Sequence, residues 1–464
     1  MQGRFWPMAM LALALTGCAN LSPDRGFGPV EQTAREHLGE SPAWIRSPAQ
    51  RAAADARVAE LLARPLSADT AVQVALLNHR GLQAAFEQLG ITEAEVVQAL
   101  RLPNPGFGYA RLERGDTVEI ERSLHLDLLR LLTAPWVRER EAKRLAQAQR
   151  VAVLQVLAVA GEARKAQVQA VAAEETVRYL AQVREAAEAG AELARRMGEV
   201  GNFSALQRLR EQGFHAEATL NLAHAERARV TARERLARAL GLWGEQTAFT
   251  LPGRLPDLPA QADELPDLER RAMAQRLDVQ AAKLGAEHAA RALGLTQATR
   301  FVNVLELGLQ RNSESGAAHQ SGWEIGFELP IFDSGDARRA RAEGQYRQTL
   351  ELAAATAVNA RSEVREAYAA YRSAWDIATH HRDALLPLRR RIAEENVLRY
   401  NGMLIGVFEL LADARAQIAG VNAALEAQRD FWLARADLDL ALLGPTRLTP
   451  MAAPSAAAPV AAGH

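Results

Sequence analysis

Two stretches of strict alternation interrupt an otherwise helical pattern. Between Val118 and Leu128, Val118, Ile120, Leu124, Leu126 and Leu128 fall on one face, and Glu119, Glu121, Ser123, His125 and Asp127 on the other. Trp323 to Leu329 repeats this, with Trp323, Ile325, Phe327 and Leu329 against Glu324, Gly326 and Glu328. A period of two is that of a strand with one apolar and one wet face. The preceding segments, 104–113 and 301–311, are their partners, joined through the turn-like stretches 114–116 and 312–322. Two β-hairpins are therefore predicted, over 104–128 and 301–330. Such a sheet fits water on one side and a core on the other. It fits equally a tilted crossing of the hydrocarbon layer by strands of about 9–11 residues, apolar side to lipid. Four strands are too few to close a channel, so a spanning barrel requires several chains.

Prolines place the helices. None occurs from Trp136 to Leu251, and only Pro387 between Ile331 and Gly444. An interior proline removes a hydrogen bond and clashes with the preceding turn, so these gaps are where long helices fit. The first runs from Trp136 to the glycines near 200, about 65 residues or roughly 100 Å at the helical rise. A return helix follows over 203–240, and a helix over 67–100 precedes the strands. The two shorter helices end to end match the long one, and the second half repeats the arrangement. Gln83–Ala84–Ala85 recurs as Gln280–Ala281–Ala282, and "VGNF" (200–203) is matched to "IGVF" (405–408). The period is too long for a solenoid, so the body is a duplicated unit, 66–258 and 259–444. The fold class expected is mainly α with a small β part, built of duplicated long helical hairpins.

The ends differ from this body. Arg4 and the apolar run "FWPMAMLALALTG" form a signal peptide, 1–17, too short to span a bilayer as a mature helix. It leads into "LTGC", which resembles the lipobox of bacterial lipoproteins; in that resemblance Cys18 is acylated, and Ala19 after it favours the outer membrane. Cys18 is the only cysteine. Residues 18–65 are expected to be an irregular tether, and 445–464 an unpacked Ala/Pro tail. No later stretch is apolar for about 18 residues, so no transmembrane helix is expected in the mature chain. Net charge −1 gives no argument for nucleic acid. Aromatics at 5% are few for a compact domain, in keeping with long Ala/Leu/Arg/Glu helices.

These parts together resemble the TolC-type outer-membrane efflux family over about 66–444. "LSADTAVQVALLNHRGLQAA" resembles the family's first helix, "GFELPIFDSGDARRARAEGQ" its strand-to-helix crossing, and "RYNGMLIGVFELLADARAQ" its periplasmic hairpin tip. The first half departs from the pattern: "LHLDLLRLLTAPWVRERE" replaces the crossing seen at Pro330, Phe332 and Asp333, and "MGEVGNFSALQ" lacks the second tip's acids. The resemblance implies a homotrimer with a twelve-stranded outer-membrane barrel continued by a periplasmic helical tunnel. Its partners would be a periplasmic adaptor and an inner-membrane transporter.

At the tips, Gly198, Gly201, Gly402 and Gly406 are expected to supply the positive-φ turns that reverse the chain. Phe203, Leu404, Ile405 and Phe408 would then be exposed for the adaptor, or packed between neighbouring hairpins. Glu409 and Asp413 share a helix face and in a trimer would form acidic rings, favouring cations. The resemblance puts the family's constriction acids at these positions; the alternative is solvation, or pairing with Arg399 or Arg415. No nucleotide loop, nucleophile motif or metal-ligand spacing is present, so neither catalysis nor a cofactor is expected. Two rival readings remain: a lipid-anchored periplasmic coiled-coil scaffold without a pore, and an adaptor subunit. The exported substrate is not written in the chain.

Overall fold

The computed structural model describes residues 20–446, without the side chains of Val407 and Phe408. In chain order the elements are α1 (Gly28–Leu38), α2 (Pro48–Leu62), α3 (Ala68–Asn78), α4 (Arg80–Leu100), β1 (Gly106–Arg114), β2 (Thr117–Asp127), α5 (Leu128–Glu199) and α6 (Ala205–Leu240). The second half adds α7 (Leu268–Gln275), α8 (Leu277–Ala298), β3 (Leu305–Glu314), β4 (Gln320–Phe327), α9 (Asp336–His380), α10 (Leu386–Asn401) and α11 (Val407–Ala441). The described residues are mainly α, with one four-stranded antiparallel sheet in the order β1-β2-β3-β4.

The chain forms two compact units that cut across the duplication, each drawing on both halves. The first takes the chain up to Gln32, Ala85–Val153 and Leu277–Val358, and so holds the whole sheet. The second takes Thr33–Ala84, Leu154–Arg276 and the chain from Asn359. In the second unit each half has its own core. Leu236, Leu240, Leu66 and Val74 pack with alanines in one; Tyr371, Phe431, Val364 and Leu438 do so in the other. Small alanines between larger side chains let long helices approach closely.

The segment expected to be an irregular tether is largely helical where it is described. Ser47 caps α2 with a full capping box to Gln50, and Phe27, Val30, Trp44 and Val58 are buried. In the first unit the Phe27 ring meets Phe86 edge-on at 4.8 Å. In the second, Gln83 takes the Ile45 N–H and donates to the Ala43 carbonyl. Two of the prolines there, Pro29 and Pro48, lie in the first turn of a helix. Cys18, the expected signal peptide over 1–17 and all of the tail beyond residue 446 lie outside the described residues.

The single helix expected before each hairpin is broken, at His79 and Arg276. These positions lie 197 residues apart, the offset that also relates Gln83–Ala85 to Gln280–Ala282. Each break is tied to the end of its own half's last helix. Asn78 Nδ2 donates to the Gly241 carbonyl at 2.7 Å, and Arg276 Nη1 to the Ala441 carbonyl at 3.0 Å. Carbonyls that end a helix have no partner within it, and these side chains supply one. Arg276 is 1% exposed and its charge is met by Glu363 at 2.8 Å, as a buried guanidinium requires. Gly241 has φ +69°, and a Cβ there would lie 3.0 Å from the Asn78 carbonyl, so this close approach needs glycine.

The first long helix starts earlier than its proline predicts. It begins at Leu128, directly after β2, with Pro135 in its second or third turn. Asp127, the last strand residue, accepts the Arg130 N–H at 2.9 Å and so caps the helix. In the second half Pro387 produces a local widening instead: over His381–Leu385 the chain is a π turn, in which Leu386 N–H reaches the His381 carbonyl.

His79 closes α3 and opens α4, with its Nδ1 accepting the Leu82 N–H at 3.2 Å. An imidazole that accepts at Nδ1 is unprotonated there, and burial holds the His79 pKa below the usual histidine value. The cap, worth about 1 kcal/mol, is therefore complete above the ordinary histidine pKa of about 6.5 and is lost as pH falls below it. His79→Asn keeps a capping oxygen and removes the titration. Thermal unfolding at pH 7.5 and 5.5 is expected to show a smaller acid-induced drop for this variant than for the native chain.

Candidate functional site

The sheet and the two helix reversals carry the functional candidates. Between β1 and β2 the chain turns in two residues, with Gly115 at φ +59°, the place where a tight hairpin wants glycine. Arg114 pairs with Thr117 across it. The second turn is shorter than its composition implies: β3 runs to Glu314 and β4 resumes at Gln320. Register puts Phe107, Leu124, Leu309 and Trp323 in one row across all four strands, and Leu126, Leu307 and Ile325 in the next of that face. This face is bare: Phe107 is 70% and Trp323 71% exposed. The opposite face carries Glu119, Glu121, Asp127, Glu306, Glu314 and Glu324, by the same register. His125 Nδ1 lies 3.7 Å from Glu324 on it. The alternation read from the sequence is therefore the alternation of the sheet. Toward the hairpin turns the apolar side gives way to polar residues, with Arg122 opposite Arg311 and Arg111 opposite Ile120.

The helix reversals depart from the sequence reading. At the first, Asn202 N–H reaches the Met197 carbonyl and Gly201 N–H that of Gly198, a Schellman ending with Gly201 at φ +79°. At the second, Leu404 N–H reaches Arg399 and Met403 N–H reaches Tyr400 in the same pattern. Here Met403 holds the left-handed position, at φ +59°. Gly402 has φ −79° and Gly406, at the N-cap, φ −82°; Gly198 lies within α5. Of the four glycines expected to make the turns, only Gly201 does so by positive φ. The match of "VGNF" to "IGVF" is likewise out of register by three residues, since the helix endings equate Gly201 with Met403 and Phe203 with Ile405. Left-handed backbone is demanded by where the helix stops, and the nearby glycines fall to either side of it.

Around the second turn Met403 and Leu404 are 94% and 78% exposed, while Ile405 is half-buried. Phe203 is half-buried at the first turn. The Phe408 side chain lies outside the described set. Glu409 is exposed in the first turn of α11, where a helix favours an acid. Asp413, one turn on, accepts a hydrogen bond from Asn396 Nδ2 on α10. Neither arginine weighed as its partner is engaged with it. Arg399 pairs with Glu395 at 3.0 Å, and Arg415 with Glu211 at 2.8 Å, where it also stacks on Phe214. Asn396 and Glu211 are both buried, and nothing in their sequence context marks them. Among the described residues no group of His, Cys, Asp and Glu could hold a metal ion.

A non-glycine residue in the left-handed region costs about 1–2 kcal/mol, and glycine gives back part of this through unfolded-state entropy. Met403→Gly is therefore expected to stabilise the second turn by about 0.5–1 kcal/mol, and Gly201→Ala to destabilise the first by about 1 kcal/mol. Hydrogen exchange at the amides of 398–406 and 197–205 should slow in the one and quicken in the other.

No helix among the described residues is long and apolar enough to cross a membrane, which says nothing of strands. No family model matches the chain, and no curated protein matches it in sequence. Solved structures match it in fold. The outer membrane protein VceC of Vibrio cholerae superposes with TM-score 0.69 at 15% identity, over 84% of this chain and 97% of that one. The open-state MtrE outer membrane channel of Neisseria gonorrhoeae gives 0.63 at 20%, over 82% and 90%. The CmeC outer membrane channel of Campylobacter jejuni gives 0.67 at 15%, over 81% and 85%. Over most of its length this chain has the fold of these outer-membrane channels, the TolC-type fold that its sequence resembles.

Proposed function

We propose that this protein is the outer-membrane exit duct of a tripartite efflux or type I secretion-like system. It is passive, anchored in the outer membrane through lipid on Cys18, and extends into the periplasm. Three chains each give four strands to a twelve-stranded barrel, and the helical hairpins meet a periplasmic adaptor and an inner-membrane transporter at their turns. Catalysis has no part in it. The observation that carries this reading is the sheet. Its apolar face is exposed and its other face acidic, and β1 and β4 are both edges. In water such a sheet is a liability. In lipid, closed by symmetry, it is a wall with an aqueous side. A pore-free scaffold leaves both the bare face and the edges unexplained.

The hairpin turns are the adaptor contact: Gly198, Gly201 and Phe203 in the first, Gly402, Leu404, Ile405, Gly406 and Phe408 in the second. Met403, which holds that second turn, belongs with them. Glu409 and Asp413 form the gate. Threefold repetition makes six acids at a narrow mouth, which repels anions and favours cations. The Asn396 contact gives Asp413 a fixed position on its helix, as a selectivity group needs.

Planar-bilayer recording of the purified, lipidated protein tests both levels. The expected result is a cation-preferring conductance that grows and loses preference in the Glu409→Ala/Asp413→Ala double variant. Absence of conductance in both proteins defeats the channel. Conductance unchanged in size and preference by the double substitution defeats only the gate.

A further inference from the structure

Three methionines lie among the described residues, and one stands apart from the others in cover. Met197, in the last turn of α5, and Met273, in α7, are half-buried. Met403, at the second turn, is 94% exposed. Its backbone is nevertheless held. Its N–H reaches the Tyr400 carbonyl at 3.0 Å, and the N–H groups of Gly402 and Leu404 on either side reach Leu398 and Arg399, both at 2.9 Å. The side chain therefore projects from a fixed turn and supports nothing in it. Leu404 beside it is 78% exposed, so the apex of the turn is apolar. A second observation concerns the backbone. Met403 sits at φ +59°, a left-handed position that glycine fills in the first turn and fills at lower cost. A strained residue whose side chain packs on nothing points to a use outside the fold.

We propose that Met403 is a reversible oxidation site, at which a peroxide turns the apex of the second turn from apolar to polar without disturbing the fold. The inference rests on the duct reading above, which puts this turn in the periplasm and makes Met403 part of the adaptor contact. The thioether sulfur attacks one peroxide oxygen, and the O–O bond breaks. A sulfur–oxygen bond forms, sulfur gives up two electrons, and the second peroxide oxygen leaves as water. Methionine sulfoxide reductases, one for each sulfoxide epimer, return the product to the thioether. Oxidation of a packed methionine disrupts its surroundings. Met403, nearly bare, has almost none to disrupt, so the hydrogen bonds that end α10 stay as they are. The sulfoxide carries no net charge, so Glu409 and Asp413 beyond the turn keep their field. What changes is the surface that the turn offers to a partner.

The test treats the full-length lipidated protein in nanodiscs with hydrogen peroxide and follows each methionine by peptide mass spectrometry. Sulfoxide is expected at Met403 about tenfold faster than at Met197 or Met273. The two reductases with a thiol reductant should reverse it. Hydrogen exchange over 398–406 and bilayer conductance should be the same before and after. Met403→Leu should remove the fast-oxidised site and leave the rates at Met197 and Met273 as they were. Oxidation of Met403 no faster than of the other two, as a turn covered by a neighbouring chain gives, would overturn the assignment. So would a sulfoxide that neither reductase removes, or exchange over 398–406 that quickens on oxidation. A conducting protein without this selectivity ends the inference alone. Selective, reversible oxidation in a protein that does not conduct keeps the site and ends the duct reading.

Discussion

A strand in hydrocarbon has no water to take its backbone N–H and C=O groups, so another strand must take them all. In the membrane reading proposed above, that constraint organises the sheet. This sheet has two unpaired edges, β1 and β4, and a face of aromatic and aliphatic side chains with nothing over it. In the barrel proposed above, symmetric copies would satisfy the edges and lipid the face. The helical part answers a similar demand by different means. Where each half ends its last helix, a side chain from that half's own broken first helix, Asn78 or Arg276, reaches the terminal carbonyl. The duplication is thus closed twice by one device, with different chemistry: an amide in one half, a buried guanidinium with its acid in the other.

Much of this was legible in the sequence because it is periodic. Alternation over 118–128 and 323–329 located the strands and sorted their faces correctly, since a period of two leaves no other register. Proline-free stretches located the long helices. What could not be read were features set by tertiary contact. The helices break at His79 and Arg276 with neither glycine nor proline at the break: Asn78 and Arg276 reach the end of a distant helix, and His79 caps the helix that follows it. Pro135 sits inside a helix whose start was already settled by the Asp127 cap. Asn396 and Glu211 take up an acid and a basic group from partners that only folding brings near.

The second turn shows the same limit from the other side. Gly402 and Gly406 look like turn residues, yet the left-handed position falls on Met403 between them. Composition marks a neighbourhood; the hydrogen bonds that end a helix decide which residue in it bears the strain.

The two crossings from sheet to helix differ in a mechanical sense. In the first half the last strand residue is also the cap of the helix, so β2 and α5 meet with no intervening residue. In the second, residues 328–335 separate β4 from α9, with Gly335 at φ +73° and Leu329, Ile331 and Phe332 exposed along the way. A joint with no linking residue is suited to pass torque, and one with a linker to absorb it. In the threefold ring proposed above the two kinds would alternate. A twist applied to the helices would then reach the wall through three stiff spokes, while three slack ones let the circumference keep its shape.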